Sequence, residues 1–503
     1  MRSLLGDLVA HRLSQTASGT LTRRLYDALQ GAIQEGVIAP GARLPASRDL
    51  AAELGMSRNT VLVAYEQLQA EGYLQTRAGS GTFVCDMLSE RSPAVDKTRV
   101  APASSAFSHH QLSQRGNRLL SRSGVGHRQW GAFMPGVPDV SRFPHDVWRK
   151  IERQLRARLP VASLSYSHHG GYAQLQQALV EYLRVVRSVN CTADQILITA
   201  GTHQAIDLLA KMLCDPGDSA WIEEPGYWGI RNVLAVNGVE IVPVAVDDEG
   251  LNPPTPGDDF RPPRLICVTP SHQYPLGVVM SLARRQALAD LAKEWGSWII
   301  EDDYDSEFRF AGSPIPALQG LAADTSVIYL GTFSKTLYPG LRISYVVLPK
   351  MLAARFKMAH SELYRGGNGL AQLTLAEFIR DGHYAAHVRR MRRIYSQRRE
   401  ALLAVIHREL GPEYVLHNSN AGLHLILSLP DTIDDVALSA ELEQQGVLTR
   451  PLSGYYMSGA QRRGLILGYA CVEADAMAQT FAPIVRCLAR RLPQGQAYPT
   501  PVS

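Results

Sequence analysis

A lysine follows a serine at positions 334 and 335, within GTFSKTLYPGLRISYVVLP at 331–349, directly after the β-rich run VIYLGT. The primary amine of Lys335 is the group that condenses with an aldehyde to form a Schiff base. Ser334 and Arg342 offer a hydroxyl and a bidentate cation to a phosphate. A lone Ser-Lys pair carries little weight, because most lysines are solvated surface groups; the company of Lys335 decides. In WIIEDDYDSEF an apolar run leads into a cluster of carboxylates and a tyrosine, with Asp302 33 residues before the lysine. That is the carboxyl end of a strand, where open α/β sheets bind ligands. Asp302 can hold a pyridine nitrogen protonated, which turns such a ring into an electron sink, and Tyr304 can hydrogen-bond a phenolic oxygen on it.

Three further strand ends carry matching groups. ILITAGTHQAIDLLAKML reads as a strand, a tight turn and a helix, so Gly201 and Thr202 lie at a helix N-terminus whose free N–H groups suit an anion. EEPGYWG places Tyr227 where its ring can stack on a flat cofactor. In TPSHQYPLG, His272 can contact a ring oxygen. Each fragment alone also fits an ordinary βα turn or a solvated acidic loop.

The elements that must position these groups follow from pattern and length. A chain of 503 residues exceeds a single core. Residues 15–85 read as a small helical head, 86–111 as a Ser/Pro/Ala-rich flexible linker, and 112–492 as a large body. In the body, ILITA, AWIEE, LICVTP, WIIEDD and VIYLGT alternate with helical stretches, which predicts an α/β fold with a mostly parallel sheet; a further strand is expected at GLHLILSL. In the head, Leu21, Leu25, Leu29 and Ile33 form one helical face. Ser47 is expected to cap a second helix that Gly55 ends, and Ser57 a third that Gly72 stops. Two short helices joined by LGMS make a helix-turn-helix, and Arg58, Asn59 and Thr60 open its second member, where base edges and phosphates are read. YLQTRAGSGTFV then reads as a hairpin wing with Arg77 near the tip. Residues 1–84 hold eight Arg and no Lys against seven acids, so bulk charge does not argue for nucleic acid; the placement of Arg43, Arg48, Arg58 and Arg77 at loop ends and helix starts does. The six cysteines lie far apart without metal spacing, and the adjacent His pairs at 109–110 and 168–169 lack further ligands, so no metal site is expected. The start has no signal-peptide core and no run is long enough to span a membrane, which makes cytoplasm the expected location.

GARLPASRDLAAELGMSRNTVLVAYEQLQAEGYLQTRAGSGTFV resembles the GntR-type winged helix-turn-helix over residues 20–84. That resemblance implies double-stranded DNA as partner. It implies DNA contacts for Arg48, Arg58 and Thr60 and a position close to the backbone for Arg43; Ser57, Asn59, Arg77, Gly79 and Gly81 are further candidates for the same interface. Five motifs in order across about 112–492 resemble the fold-type I, aspartate-aminotransferase-like enzymes that use pyridoxal 5′-phosphate. Motif by motif, this implies Lys335 as the Schiff-base lysine, Asp302 as the pyridinium partner and Tyr304 as the phenolate neighbour. It also implies Gly201, Thr202, Ser334 and Arg342 at the phosphate and Tyr227 on the ring. His272 stands where many of these enzymes have Asn. Tyr166 matches a tyrosine reaching a partner subunit's phosphate, and Arg450 is the candidate for a carboxylate-binding arginine, with Arg462 and Arg463 as competitors. The combination is similar to the MocR/GabR subfamily of GntR-family regulators, which implies a head-to-tail homodimer and an amine-bearing or pyridoxal-phosphate effector. Gly229 stands where the GABA-responsive member has an arginine, which argues against GABA. The alternatives are a working aminotransferase with an accessory head, and a DNA binder with the cofactor as a structural ligand.

Overall fold

The computed structural model describes the chain outside residues 1–3, 16–18, 86–111, 122–127, 161–164, 166–169, 255–260, 313–314, 322–325, 417–419, 460–461 and 492–503. The expected linker and Tyr166 therefore lie outside the described residues. Contacts divide the chain into two units, 1–111 and 112–503.

The first unit has helices α1 (Leu4–Gln15), α2 (Leu21–Gln34), α3 (Ser47–Leu54) and α4 (Arg58–Ala70), then the antiparallel strands β1 (Leu74–Arg77) and β2 (Gly81–Val84). Leu25, Leu29, Leu50, Val61 and Leu68 are wholly buried at its centre. The stripe on α2 begins at Leu25 rather than Leu21, since Leu21 opens the helix at 44% exposure. Helix α1 has no counterpart in the sequence reading; it adds Val9 and Leu13 to the same core. Ser57 caps α4, its Oγ accepting from the Thr60 N–H at 3.1 Å. Ser47 does not cap α3. Ala46, extended at ψ 146°, is the N-cap, and its carbonyl takes the Asp49 and Leu50 N–H groups, so Ser47 is already helical and cannot reach back. Gly55 ends α3 in the left-handed conformation, as expected.

The second unit begins with helices α5 (Gln114–Ser121), α6 (His145–Arg158) and α7 (Ala173–Arg187), followed by strand β3 (Ile196–Thr199) and helix α8 (Thr202–Leu213). The large sheet continues with β4 (Ser219–Glu224), β5 (Glu240–Asp247), β6 (Gly250–Leu251), β7 (Leu265–Val268), β8 (Trp298–Asp303), β9 (Val327–Thr332) and β10 (Ser344–Val347). Its order is β3-β10-β9-β8-β7-β4-β5-β6. The central pairs β9·β8, β8·β7, β7·β4 and β4·β5 are parallel, while β10 runs antiparallel to both β3 and β9. The central strands are buried on both faces, which explains their continuous apolar runs. Parallel pairing brings the carboxyl ends of β4, β7, β8 and β9 to one edge, β3 ends there too because β10 runs antiparallel to both β3 and β9, and every strand-end motif of the sequence is delivered there. A second, four-stranded antiparallel sheet holds the expected strand His424–Leu429 beside Arg463–Gly468 and packs against the helices His383–Glu409 and Met477–Ala489. No described helix is long and apolar enough to cross a membrane, and the described residues contain no group of three or more His, Cys, Asp or Glu placed to hold a metal ion.

Candidate functional site

A cavity of about 570 Å³ opens at the carboxyl edge of the sheet, with Thr202, Tyr227, Asp302, Tyr304, Ser334, Lys335, Arg342 and Arg450 on its walls. It gathers side chains from five strand ends, from the segment that holds Gln129 and Gly136, and from the second sheet, up to 326 positions apart (455 − 129).

Lys335 sits three residues after the end of β9 and donates from Nζ to the Gly136 carbonyl at 2.7 Å. Burial lowers its pKa, opposed by the nearby carboxylates of Asp305 and Asp302. Asp302 is the next-to-last residue of β8. Burial, reinforced by neighbouring Asp303, pushes its pKa up to about 7, while Lys335 pulls the other way. Its Oδ1 is buried with no hydrogen-bond partner. An acceptor left unpaired in an interior is costly, so this oxygen is fitted to a donor from outside the chain; a protonated ring nitrogen is one.

Arg342 adopts a left-handed conformation at φ 53° after a short 3₁₀ turn and meets no carboxylate among the described residues. Its guanidinium lies against Gly201, where an added Cβ would come within 2.6 Å of Nη2. With φ at +112°, Gly201 is required on two counts, conformation and close approach. Gly201 is also the N-cap of α8, so an unpaired cation and free helix N–H groups meet at one point beside Ser334, which makes an anion cradle.

Tyr227 is mostly buried, edge-on to His203 and Tyr274. His272 is not on the cavity wall. It is buried behind Tyr304, with Nδ1 at 3.1 Å from Asp305 Oδ2 and 3.0 Å from the Tyr304 hydroxyl. The expected contact of His272 with a ring oxygen is therefore not available from the cavity wall, where Tyr304 stands instead; the Asp305 carboxylate and the Tyr304 hydroxyl engage the imidazole behind it. Arg450 lines the cavity, with only long contacts of 3.4 Å to the Thr449 and Arg128 carbonyls. Arg463 is turned toward Asp434 and Asp435, and Arg462 is exposed off the cavity. The sequence reading missed His203, Trp228, Tyr274, Tyr455 and the segment carrying Trp130 and Gly136, all on the wall. His203, Trp228 and Tyr274 each lie within two residues of a motif already singled out, a signal that was there. Burial lowers the His203 pKa, followed by Arg342 and Lys335.

On the head, Arg58 and Asn59 are exposed at the start of α4, while the Ser57 and Thr60 hydroxyls bond each other at 2.8 Å. Arg48 is 83% exposed, with a loose contact to Asp49. In the hairpin, Arg77 lies over the Phe83 ring at 5.1 Å, and Arg43 packs against Gly81, where a Cβ would approach Nε to 2.8 Å. Gly79 and Gly81, at φ 75° and 115°, make the turn.

A winged helix-turn-helix in one unit and a lysine–aspartate cavity on a fold-type I sheet in the other define the class: a DNA-reading fold joined to an aminotransferase fold. Residues 137–474 match the family model "Aminotransferase class I and II", and residues 21–84 match "Bacterial regulatory proteins, gntR family". The chain is 39% identical over 471 residues to the probable rhizopine catabolism regulatory protein MocR of Rhizobium meliloti, covering 92% of this chain and 93% of that one. It is 34% identical to the regulator TauR of Rhodobacter capsulatus, over 95% and 98% of the two chains. Identity to the pyridoxine biosynthesis regulator PdxR of Corynebacterium glutamicum is 31%, over 92% and 95%. Among solved structures, the α-aminoadipate aminotransferase LysN of Thermus thermophilus, in complex with N-(5′-phosphopyridoxyl)-L-leucine, superposes with TM-score 0.66 at 26% identity, over 75% of this chain and 99% of that one. The chain belongs to the MocR/GabR subfamily of GntR-family transcription regulators.

Proposed function

We propose that the protein is a cytoplasmic, pyridoxal-phosphate-dependent transcription regulator. Its head binds a double-stranded DNA operator; its body binds pyridoxal 5′-phosphate and responds to an amine-bearing effector or to the cofactor itself. The genes it controls serve vitamin B6 or amino-compound metabolism. The observation that carries the reading is one chain holding both an exposed recognition-helix start at Arg58–Asn59 and a cavity where a buried amine meets a carboxylate with an unpartnered buried oxygen.

The residues present fit the cofactor. Arg342, Ser334 and the backbone at Gly201–Thr202 would hold its phosphate, Asp302 its ring nitrogen, Tyr227 its face and Tyr304 its phenolic oxygen. When bound, pyridoxal phosphate supplies an aldehyde that condenses with primary amines. The chain's part is positional. Burial keeps a larger share of the Lys335 amine neutral and nucleophilic near neutral pH than a surface lysine would have. Arg450 takes a carboxylate on the effector. Lys335 Nζ bonds the Gly136 carbonyl when it is free and would release it when engaged with the cofactor, so the two arrangements of Lys335 would differ in their hold on the segment around Gly136, which lines the cavity. An effector that prefers one arrangement shifts the balance by its differential affinity, typically ~1–3 kcal/mol. A head-to-tail homodimer places two heads on two half-sites, which raises affinity through effective concentration and lets a nearly neutral head suffice.

Footprinting on the DNA upstream of the gene, with and without pyridoxal phosphate and a panel of amines, tests the reading. Protection that changes with a ligand is expected; no protected site under any condition overturns it. Arg58→Ala should weaken operator binding by about 1–3 kcal/mol if its side chain reads a base. Fluorescence anisotropy at fixed salt measures this, and unchanged affinity removes Arg58 from the interface.

A further inference from the structure

Successive side chains of a strand point to opposite faces. On β8, Asp302 faces the Lys335 cavity, whereas Asp303 turns away and accepts from Arg187 Nε at 2.7 Å. Behind that pair lies a separate cavity of about 120 Å³, walled by Arg187, Ser271, Ser306, Glu307, Arg309 and Arg392. A water takes up ~30 Å³ of liquid, so the space suits about four waters or one small tetrahedral ion.

The three arginines differ in how far their donors are used. Arg187 is committed, with Nε on Asp303, Nη1 on the Ile315 carbonyl and Nη2 on Ser271 Oγ. Arg309 and Arg392 meet no carboxylate among the described residues. Arg392 donates from Nε to the Glu307 carbonyl at 2.9 Å, and Arg309 Nε is buried without an acceptor. Gly312, at φ +81°, lies beside the Arg309 guanidinium, 3.4 Å from Nη2 to where a Cβ would stand. Two carboxyls stand against an anion here. Asp303 is offset by Arg187. Glu307 already accepts from the Tyr182 and Tyr384 hydroxyls at 3.1 and 3.3 Å, and burial, then Asp303, raises its pKa to about 7, so it carries full charge only in part at neutral pH.

We propose that this cavity is a second anion site, separate from the Arg342 cradle, that takes a small tetrahedral oxyanion of the phosphate or sulfate type between Arg309 and Arg392. Guanidinium groups suit such oxyanions because their planar forks donate in pairs. The site shares Arg187 with Asp303, next to the residue that faces the main cavity, so its occupant bears on the support of β8.

Calorimetric titration of the full-length protein with sulfate and with phosphate, at ionic strength balanced with chloride, tests the site. Running it with and without saturating pyridoxal phosphate separates the two anion sites and makes the result independent of the cofactor reading. Saturable binding that persists with the cofactor is expected, and Arg309→Gln and Arg392→Gln should each weaken it by about tenfold or more. Arg149→Gln, on the surface of α6, should leave it unchanged. Absence of saturable binding, or equal affinity in the two variants and the wild type, overturns the proposal. If either variant fails to fold, selenate in wild-type crystals decides: an anomalous peak between Arg309 and Arg392 supports the site, and an empty cavity at tens of millimolar selenate overturns it.

Discussion

The wild-type protein is expected to show visible absorbance with pyridoxal phosphate, and Lys335→Ala to abolish it while leaving the body folded. Lys335 is the only lysine among the described residues lining the cavity, so no other described amine stands ready to replace it. The structural cost is small. The variant loses one hydrogen bond, from Nζ to the Gly136 carbonyl at 2.7 Å, worth roughly 1 kcal/mol net. It also removes an amine whose charged form burial already disfavours. Absorbance spectroscopy and thermal unfolding of the same sample separate the two effects. Retained absorbance refutes the lysine assignment. Loss of absorbance together with loss of the fold would instead make Lys335 a packing residue.

Asp302→Asn is expected to act in two ways of opposite sign. In the cofactor-free protein, burial holds the Asp302 carboxyl protonated up to a pKa of about 7, with Glu223, Glu301 and Glu307 raised to about the same value. In the unfolded chain these groups ionise near pH 4, so between about pH 4 and 7 the folded state binds more protons than the unfolded one. Stability therefore falls as pH rises through that window and levels off above it. For Asp302 alone, a rise from about 4 to about 7 is worth on the order of 4 kcal/mol. The amide does not ionise, so the variant should be more stable than wild type above pH 7 without cofactor, and its stability should depend less on pH. With cofactor the sign reverses. The variant lacks the charge that a ring cation needs, and loss of a charge-assisted bond of ~1.5–3 kcal/mol weakens cofactor affinity by roughly ten- to hundredfold. Thermal unfolding across pH 4–8 and a cofactor titration at pH 7.5 check both. A cofactor affinity equal to that of the wild type would sink the assignment of Asp302.

The part of the cavity's wall that was legible from the sequence consists mainly of groups at the ends of apolar runs, since strand ends are where α/β sheets place ligands. Asp302, Ser334, Thr202 and Tyr227 were all read that way. The winged head was legible because its turns are written in Gly55, Gly79 and Gly81, whose conformations few other residues adopt. The failures have equally local causes. Helix α1 was missed because its apolar face matters only against the α2 core. Ser47 has a capping side chain, but the chain enters the helix one residue earlier.

The amino-acid sequence by itself determined which groups exist and which strand or helix end carries each, since periodicity, turn residues and motif order are properties of neighbours along the chain. It could not say which of Arg450, Arg462 and Arg463 reaches the cavity wall, nor place His272 behind Tyr304, nor bring Gly136 to Lys335 across 199 positions. Those outcomes depend on strand order and on which carboxylate competes for which cation. Only the folded chain, with the parallel strand ends at one edge and Asp305 engaging His272 behind Tyr304, settles them.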